Sequence, residues 1–337
     1  MAPGWSDMGR VVLAVDVGGT WVRMGLFRWE EDRLDPILQR RGASAGWTRF
    51  EEDLRQFLAL PEAHGALESA RERAAVFALA GPVGGDSGPD AGKGSVTRWG
   101  PGLFRDVSKL LGPLPFDRCV VMNDMEAANH SVAGAREGSF LPIDGDESPP
   151  PRSRFIHLRP GTGLGMSFYC SGRSFPSEGG NAPCAFHASD TDELAIAGHF
   201  LTLSDGAFPS YEAALCGDGL RAMSEALTGR AVLPETLTKE WGKSEISDRV
   251  VGLFVRLLAR AAQGAALTLL PETCFLSGTI VDALPGGAWQ PFCSLFRGHA
   301  TQSPLLTRVR LSVVKVPDLA LRGAALTGAR AVGLEVP

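Results

Sequence analysis

The chain has 337 residues, of which 44% are hydrophobic and 21% charged, and its formal net charge is −5. This length and apolar content predict two domains, or one large domain with a cleft, and exclude a disordered chain. The negative charge argues against a nucleic-acid surface, and six scattered cysteines without a Cys-x-x-Cys pair argue against a disulfide framework or a zinc cluster.

The first predicted element is a β-hairpin in residues 11–27, VVLAVDVGGTWVRMGLF. Its two β-rich runs flank a turn that contains Gly18 and Gly19, with Asp16 before the turn and Thr20 after the glycines. Adjacent glycines let the backbone approach a ligand closely, and an aspartate can reach a metal ion that the ligand brings. The stretch therefore indicates either a site for phosphate with a divalent cation or an ordinary hairpin turn with a capping aspartate.

Predicted strands and helices then alternate through the first third of the chain, which is typical of an α/β fold. The spacing of apolar residues predicts helices at 50–60 and 103–111 and strands at 74–81 and 119–124. A glycine-rich loop at 84–95 does not match a phosphate-binding P-loop. Its glycines are one residue too close together, and Lys93 is followed by Gly94 rather than by serine or threonine.

The second half of the sequence repeats this order of elements. Residues 155–170 form a second predicted hairpin, whose turn contains Gly161, Thr162 and Gly163. The elements that follow are predicted helices at 191–203, 210–227, 246–271 and 318–333, a predicted strand that runs into a glycine turn at 273–281, and a predicted strand at 309–316. The long apolar segment 246–271 contains charged residues, which favours a buried helix over a membrane span. Two matching turns in two similar halves indicate a weak internal duplication that could hold one polyphosphate between the turns.

Polar residues lie at places where a ligand could bind. Asn123 and Asp124 follow an apolar strand, and ligands of open α/β sheets bind at the carboxyl ends of strands. Asp124 could accept a hydroxyl proton during phosphoryl transfer, or it could cap a helix that begins at Met125, and the residues alone leave both interpretations open. Glu178 and Asn181 lie in a glycine-shaped loop whose carboxylate and amide groups suit the hydroxyls of a sugar.

The ordered set of motifs resembles the bacterial glucokinases, from about residue 11 to the C terminus. The motifs are DVGGTWVR (16–23), ND (123–124), GTGLG (161–165), SEGG (177–180), YE (211–212) and SGTIV (277–281). That family consists of ATP-dependent hexose kinases of the superfamily that also contains actin and the hexokinases. The resemblance implies an α/β, two-domain actin-like ATPase (ribonuclease H-like) fold with a cleft between the domains. Residues 1–134 and 318–337 would form the small domain, and residues 135–317 the large one.

The resemblance also implies the chemistry and the role of each site residue. Glucose would be phosphorylated to glucose 6-phosphate by ATP with Mg²⁺, and Asp124 would be the general base that takes the 6-hydroxyl proton, with capping as its secondary role. The other hydroxyls of the sugar would be held by Asn123, Glu178, Asn181 and Glu212. The phosphates would be cradled by Gly18, Gly19, Thr20, Gly161, Thr162 and Gly163. Asp16 would act near Mg²⁺ through water, and the adenosine would lie beside Gly278 and Thr279.

The chain departs from the family pattern at specific positions. Asn181 takes the place of a usual histidine, Arg98 follows Thr97 where asparagine is common, and Thr279 replaces a second glycine. The sequence therefore leaves two alternatives open: a kinase for another hexose or an amino sugar, and a non-catalytic sugar-sensing protein on the same fold. A catalytic base and the lack of a basic recognition helix argue against a sensor that binds DNA.

The expected partners are small molecules and a second copy of the chain. The resemblance implies a homodimer that binds the sugar and ATP. The net charge and the charged residues in segment 246–271 predict that the protein binds neither nucleic acid nor membrane. Scattered cysteines and the lack of a signal-peptide pattern in the first residues predict a cytoplasmic protein.

Overall fold

The computed structural model describes residues 9–30, 33–84, 92–100, 105–111 and 116–333. Most of the glycine-rich loop at 84–95 therefore lies outside the described residues. The strands in these ranges are β1 Arg10–Val17, β2 Trp21–Glu30, β3 Arg33–Ala43, β4 Glu72–Leu79, β5 Lys93–Gly94, β6 Arg105–Asp106, β7 Arg118–Asn123, β8 Phe140–Pro142, β9 Arg154–Pro160, β10 Leu164–Cys170, β11 Arg173–Ser177, β12 Thr273–Leu276 and β13 Arg310–Val314.

The helices in the same ranges include the four that the sequence predicts after the second hairpin. In chain order they are α1 Trp47–Leu58, α2 Pro61–Ser69, α3 Asp124–Ala133, α4 Thr191–Leu203, α5 Tyr211–Ala214, α6 Gly217–Thr228, α7 Pro234–Lys239, α8 Glu245–Leu269, α9 Thr279–Ala283, α10 Trp289–Arg297, α11 Ser303–Leu306 and α12 Leu319–Ala331. Residues 210–227, predicted as one helix, form the short α5 and then α6.

The described fold divides into two compact units, one formed by Met1–Ala135 with Val316–Pro337 and the other by Arg136–Lys315. The strand order is β3-β2-β1-β4-β7 in the first unit and β11-β10-β9-β12-β13-β8 in the second. In the first unit β1 pairs antiparallel with β2 and parallel with β4, which pairs parallel with β7. In the second unit β9 likewise pairs antiparallel with β10 and parallel with β12, which pairs parallel with β13. The shared order of five strands confirms the internal duplication and the predicted α/β class.

The central strand β1 is buried on both faces in the first unit. Leu13 and Val15 pack in one apolar cluster with Phe50 of α1, whereas Ala14 packs in another cluster with Ala324 of α12. Because side chains alternate between the faces of a strand, one short run of β1 joins helices on both sides of the sheet. A strand covered in this way reads as a continuous apolar run, as residues 11–15 do.

Helices α3 and α12 approach each other with backbone against backbone. A Cβ added to Gly323 of α12 would lie 1.6 Å from the carbonyl oxygen of Ala127 in α3, and one added to Gly328 would lie 2.3 Å from Val12 Cγ1. Glycine at these positions therefore permits the C-terminal helix to pack tightly against both α3 and the sheet. In this way α12 completes the first unit.

The long helix α8 lies in the core of the second unit. Its buried face includes Phe254, Leu257 and Leu258, which pack in one cluster with β9 and β12. By length and composition α8 could cross a membrane, but 61% of its apolar window is buried inside the protein. A core helix of a water-soluble domain passes the same test, and the prediction of a buried helix at 246–271 is confirmed.

One predicted element is wrong in kind. The described part of the predicted helix at 103–111 is the short strand β6 followed by a 3₁₀ helix at Val107–Leu111. Arg105 and Asp106 pair with Lys93 and Gly94 instead of continuing a helix. The segment 273–281, predicted as a strand that runs into a glycine turn, is β12 followed by the turn at Gly278, after which α9 begins.

Gly323→Ala should destabilise the protein by at least about 1–3 kcal/mol, because the new methyl group meets the Ala127 backbone, which cannot yield as a flexible side chain can. Urea unfolding followed by circular dichroism measures the change.

Gly264→Ala in α8 is the matched control, since nothing lies within 4 Å of the added Cβ. This substitution should leave stability unchanged or raise it by up to about 1 kcal/mol, the difference in helix propensity between alanine and glycine. Equal unfolding midpoints for the two variants would contradict the close packing of α12 on α3.

Candidate active site

Asp16 and Arg23 face each other across the first hairpin. They are opposite partners in the β1–β2 ladder, and Arg23 Nη1 lies 2.9 Å from Asp16 Oδ2. Arg23 Nε also lies 2.9 Å from Asp318 Oδ1, one residue before α12 begins. Asp16 is 2% exposed, and the guanidinium offsets the cost of burying its carboxylate. A carboxylate near the end of β1 and a cation near the start of β2 are therefore held together.

Each of the two glycine-threonine turns is closed by a hydrogen bond of its own. In the first turn the Gly18 N–H donates to the Trp21 carbonyl at 2.9 Å, and in the second the Gly161 N–H donates to the carbonyl two residues later at 2.8 Å. The exposed residues of the two turns are Thr20 and Thr162. The first glycine of each turn therefore shapes the backbone, and a ligand would meet the threonine end.

Asn123, and not Asp124, caps helix α3. Its Oδ1 accepts a hydrogen bond from the Met125 N–H at 2.9 Å, and Glu126 Oε2 accepts one from the Asn123 N–H at 3.0 Å, which completes a capping box. The side chain of Asn123 also donates from Nδ2 to the Gly81 carbonyl at 3.2 Å. The sequence hypothesis that Asp124 caps this helix is therefore wrong, because the chain turns into the helix one residue earlier.

Asp124 is the first residue of α3 and follows the last residue of β7 directly. Its side chain is half-buried. A helix N terminus carries partial positive charge and therefore interacts favourably with an acidic side chain at this position. Since Asn123 supplies the cap, the position of Asp124 is given by the strand end and the helix start.

Thr97 and Arg98 are placed at the same edge of the first sheet by Gly81. The Thr97 N–H donates to the Ala80 carbonyl at 3.1 Å, and a Cβ on Gly81 would lie 2.6 Å from the Ser95 carbonyl oxygen. Arg98 is exposed. Arg98, which departs from the family pattern, therefore follows a segment that packs beside the end of β4. Strand β4 is the neighbour of β7 in the sheet.

In the second unit, the three predicted sugar-binding residues gather around the start of β10. A Cβ on Gly180 would lie 2.2 Å from the Leu164 carbonyl oxygen, so the loop containing Glu178 and Asn181 lies directly against Leu164. Asn181 Nδ2 donates to Glu178 Oε2 at 3.2 Å. From the other side, Glu212 Oε2 accepts a hydrogen bond from the Leu164 N–H at 3.4 Å. The structure thus brings two carboxylates and an amide to one place.

The same place adjoins the second glycine-threonine turn. A Cβ on Gly163 would lie 3.1 Å from the carboxyl carbon of Glu212, and the Gly217 N–H at the start of α6 donates to the Gly161 carbonyl at 3.0 Å. Residues at the start of β10 and at the starts of α5 and α6 therefore surround the turn. A glycine at position 163 leaves room for the Glu212 side chain.

The turn after β12 packs against the end of β9. Gly278 has φ +106°, a backbone conformation that favours glycine, and an added Cβ would lie 2.6 Å from the Pro160 carbonyl oxygen. Pro160 immediately precedes Gly161. The predicted adenosine-side residues Gly278 and Thr279 therefore lie beside the predicted phosphate turn of the same unit.

Sequence reasoning missed a buried ion-pair network behind the sugar-side loop. Glu193 is fully buried, and its Oε2 lies 2.6 Å from Arg260 Nη1 and accepts a hydrogen bond from the His187 N–H at 2.6 Å. Arg260 also donates to the Ala185 carbonyl at 3.1 Å. The network ties the segment that follows Asn181 to α4 and α8, and no spacing in the sequence indicates these long-range partners.

The residues present fit a magnesium ion that arrives with a nucleotide. Within the described ranges, no group of three or more histidine, cysteine, aspartate or glutamate side chains is placed to hold a metal ion. Mg²⁺ bound to phosphates keeps several waters and needs few protein carboxylates. Asp16, with its charge engaged by Arg23, is suited to contact through such waters.

Comparison with known proteins gives one consistent family. The glucokinase family model matches residues 13–331. A glucokinase of Rhizobium meliloti (strain 1021) is 28% identical over 333 residues, covering 93% of this chain and 91% of that protein. A glucokinase of Nostoc punctiforme is 25% identical and covers 95% of this chain and 99% of that protein.

Solved structures agree on the fold. The crystal structure of glucokinase from Balamuthia mandrillaris in complex with glucose has a TM-score of 0.78 and 20% identity, covering 95% of this chain and 94% of that chain. Glucokinase from an Antarctic psychrotroph has a TM-score of 0.72 and 20% identity, covering 95% of this chain and 99% of that chain. These likenesses show the two-domain α/β fold of the actin-like ATPases.

The family model spans most of the chain, and it covers the hairpins, the strand ends and the helix starts described above. The chain therefore belongs to the glucokinase family and is a sugar kinase for glucose or another hexose.

Proposed function

We propose that Asp124 is the general base for transfer of the γ-phosphoryl group of ATP to the 6-hydroxyl of glucose. The observation that carries the proposal is the placement of Asp124 at the end of β7, with the cap of α3 supplied by Asn123. The carboxylate would take the hydroxyl proton while the sugar oxygen bonds to the γ-phosphorus and ADP leaves. Phosphoryl transfer of this kind needs mainly positioning and charge neutralisation from the protein.

Four further residues are assigned to the other sugar hydroxyls: Asn123, Glu178, Asn181 and Glu212. Glu178, Asn181 and Glu212, which meet around Leu164, supply carboxylate and amide groups in fixed directions. Asn123 keeps one further N–H and one further lone pair beyond its helix-capping and Gly81 bonds, and a sugar hydroxyl would use these. Asn123 would therefore bind the sugar and, through its other hydrogen bonds, hold the end of β7.

The nucleotide is assigned to the two turns and to the loop after β12. The threonine ends of Gly18–Thr20 and Gly161–Gly163 would meet the phosphates, and Gly278 with Thr279 would lie beside the adenosine. When bound with ATP, Mg²⁺ would neutralise charge on the phosphates, and Asp16 would hold its waters. The neighbouring Arg23 keeps the Asp16 carboxylate oriented for that role.

A kinase for another hexose or an amino sugar is the second candidate. It is favoured by Asn181, which cannot titrate as histidine does, and by Arg98, an exposed cation where asparagine is common. Both residues lie near groups assigned to the sugar, so they can change the choice of sugar without changing the transfer chemistry.

The proposed working form is a homodimer in the cytoplasm. The homodimer rests on the family resemblance. The cytoplasmic location is supported by six free cysteines, of which four are buried. Burial raises the pKa of the Cys184 thiol to about 12, so this cysteine stays protonated and acts as a small core residue.

A coupled assay for ADP release tests the proposed substrate. The protein is incubated with ATP, Mg²⁺ and glucose, mannose, fructose, glucosamine or N-acetylglucosamine, and turnover on glucose is expected to exceed turnover on the others. Preference for another sugar would support the second candidate. Sugar binding by calorimetry without turnover on any sugar would contradict a kinase and favour a sugar-sensing protein.

Asp124→Ala and Asp124→Asn should lower kcat by at least about 10²–10⁴-fold, because the proton of the 6-hydroxyl loses its acceptor. Calorimetry should show weaker but measurable binding of glucose to both variants.

Glu235→Gln provides the control, since Glu235 is an exposed acid in the first turn of another helix, α7. It should retain the wild-type rate. An Asp124→Asn variant that also works near the wild-type rate would remove Asp124 from the role of base.

Asn181→His should change the ranking of sugars by kcat/KM, because the side chain in this loop would contact a hydroxyl. Ala188→His changes an exposed residue farther along the loop and should leave the ranking unchanged. The same ranking in wild type and Asn181→His would show that Asn181 does not contact the substrate.

A further inference from the structure

A buried hydrogen bond joins β9 to the residue that follows β12. His157 Nε2 lies 2.8 Å from Ser277 Oγ, and both residues are essentially inaccessible, with 0% and 1% of their surface exposed. The Ser277 N–H also donates to the Leu158 carbonyl at 3.1 Å. Ser277 is thus attached to β9 through its backbone and through its side chain.

His157 is a neutral group in this position. Burial, together with the positive charge of Arg159, lowers the pKa of His157 to about 3. One nitrogen of a neutral imidazole donates a hydrogen bond and the other accepts one, and a serine hydroxyl can serve as the partner of either. The pair is therefore satisfied without charge across the pH range in which a cytoplasmic enzyme works.

An apolar side chain would fill the place of His157 without the cost of burying a polar ring. His157 lies opposite Phe275 of β12 and Ser167 of β10, in the middle of the sheet. A buried polar pair in such a place restricts the relative position of the two strands. A hydrogen bond holds its two groups at one distance and angle, whereas apolar contacts allow the strands to slide. The His157–Ser277 pair therefore fixes the register of the two strand ends.

The two strand ends carry the loops assigned to the nucleotide. Ser277 directly precedes Gly278, whose backbone touches the Pro160 carbonyl, and Pro160 directly precedes Gly161. A small displacement of Ser277 would therefore move the turn beside the adenosine relative to the turn at the phosphates.

We propose that His157 and Ser277 are positioning residues for ATP, which hold the Gly278–Thr279 turn in register with the Gly161–Gly163 turn. The inference rests on the proposed function, since that function assigns both turns to the nucleotide. Both side chains are buried, so they would act on the nucleotide through the turns rather than by direct contact. Their effect is expected on the affinity for ATP rather than on the chemical step.

Ser277→Ala removes one hydroxyl and leaves the volume of the site almost unchanged. It should raise the KM for ATP roughly tenfold, as expected when one buried hydrogen bond is lost. The kcat and the KM for glucose should stay close to the wild-type values. His157→Leu should have the same effect, whereas His157→Gln, whose amide reaches the position of the ring Nε2, should restore much of the ATP affinity.

Thr273→Val is the matched control at the opposite end of the same strand. Thr273 is fully buried, and its Oγ1 donates to the Pro151 carbonyl at 2.6 Å. The substitution removes a buried hydrogen bond from β12 far from the turn at Gly278. It should lower the unfolding midpoint, as Ser277→Ala does, without changing the KM for ATP.

The outcomes separate the inference from the proposed function. An unchanged KM for ATP in Ser277→Ala would overturn the positioning role, and so would an equal increase of this KM in Thr273→Val. If the wild-type protein turns over ATP, the proposed function still holds in both cases. No ATP-dependent turnover by the wild-type protein would overturn both. Calorimetric binding of a non-hydrolysable ATP analogue to folded Ser277→Ala gives an independent reading, with weaker binding expected and equal binding contradicting the proposal.

Discussion

At three places near the candidate site, one backbone segment lies against another with no room for a side chain. An added Cβ would lie 2.6 Å from a carbonyl oxygen at Gly81, 2.2 Å at Gly180 and 2.6 Å at Gly278. Real Cβ atoms do not approach so closely, so each position requires glycine or a shift of the chain. The contacts at Gly180 and Gly278 fix the loops that carry Asn181 and Thr279. Backbone packing, more than any single side chain, thus sets the geometry of the loops.

Ion pairs between buried or half-buried side chains also connect separate elements within each unit. Arg23 joins Asp16 at the end of β1 to Asp318 at the start of α12, and Arg260 joins buried Glu193 to the segment after Asn181. A buried charge that loses its partner strongly destabilises the protein. Each ion pair therefore restricts how the two elements that carry it can be arranged.

The sequence predicted local structure better than long-range partners. Both hairpins, the long helix α8 and the position of Asp124 at a strand end follow from apolar periodicity and glycine turns. The ion pair of Asp16 with Arg23 was not predicted, although residues seven apart across a tight turn can be opposite partners in a hairpin. Glu193 and Arg260 are 67 residues apart, and no local pattern reveals their contact. Strand β3 was missed because it is an edge strand without a fully buried residue and so lacks an apolar alternation.

In the proposed reaction Asp124 receives the proton of the sugar 6-hydroxyl. A crystal structure of the protein with glucose and a non-hydrolysable ATP analogue would show whether the two groups meet. The account predicts a carboxylate oxygen of Asp124 within hydrogen-bond reach of that hydroxyl, about 2.6–3.2 Å, with Glu178, Asn181 and Glu212 on the other hydroxyls. A bound glucose whose 6-hydroxyl faces a different acid, or lies beyond reach of Asp124 in the closed complex, would contradict it.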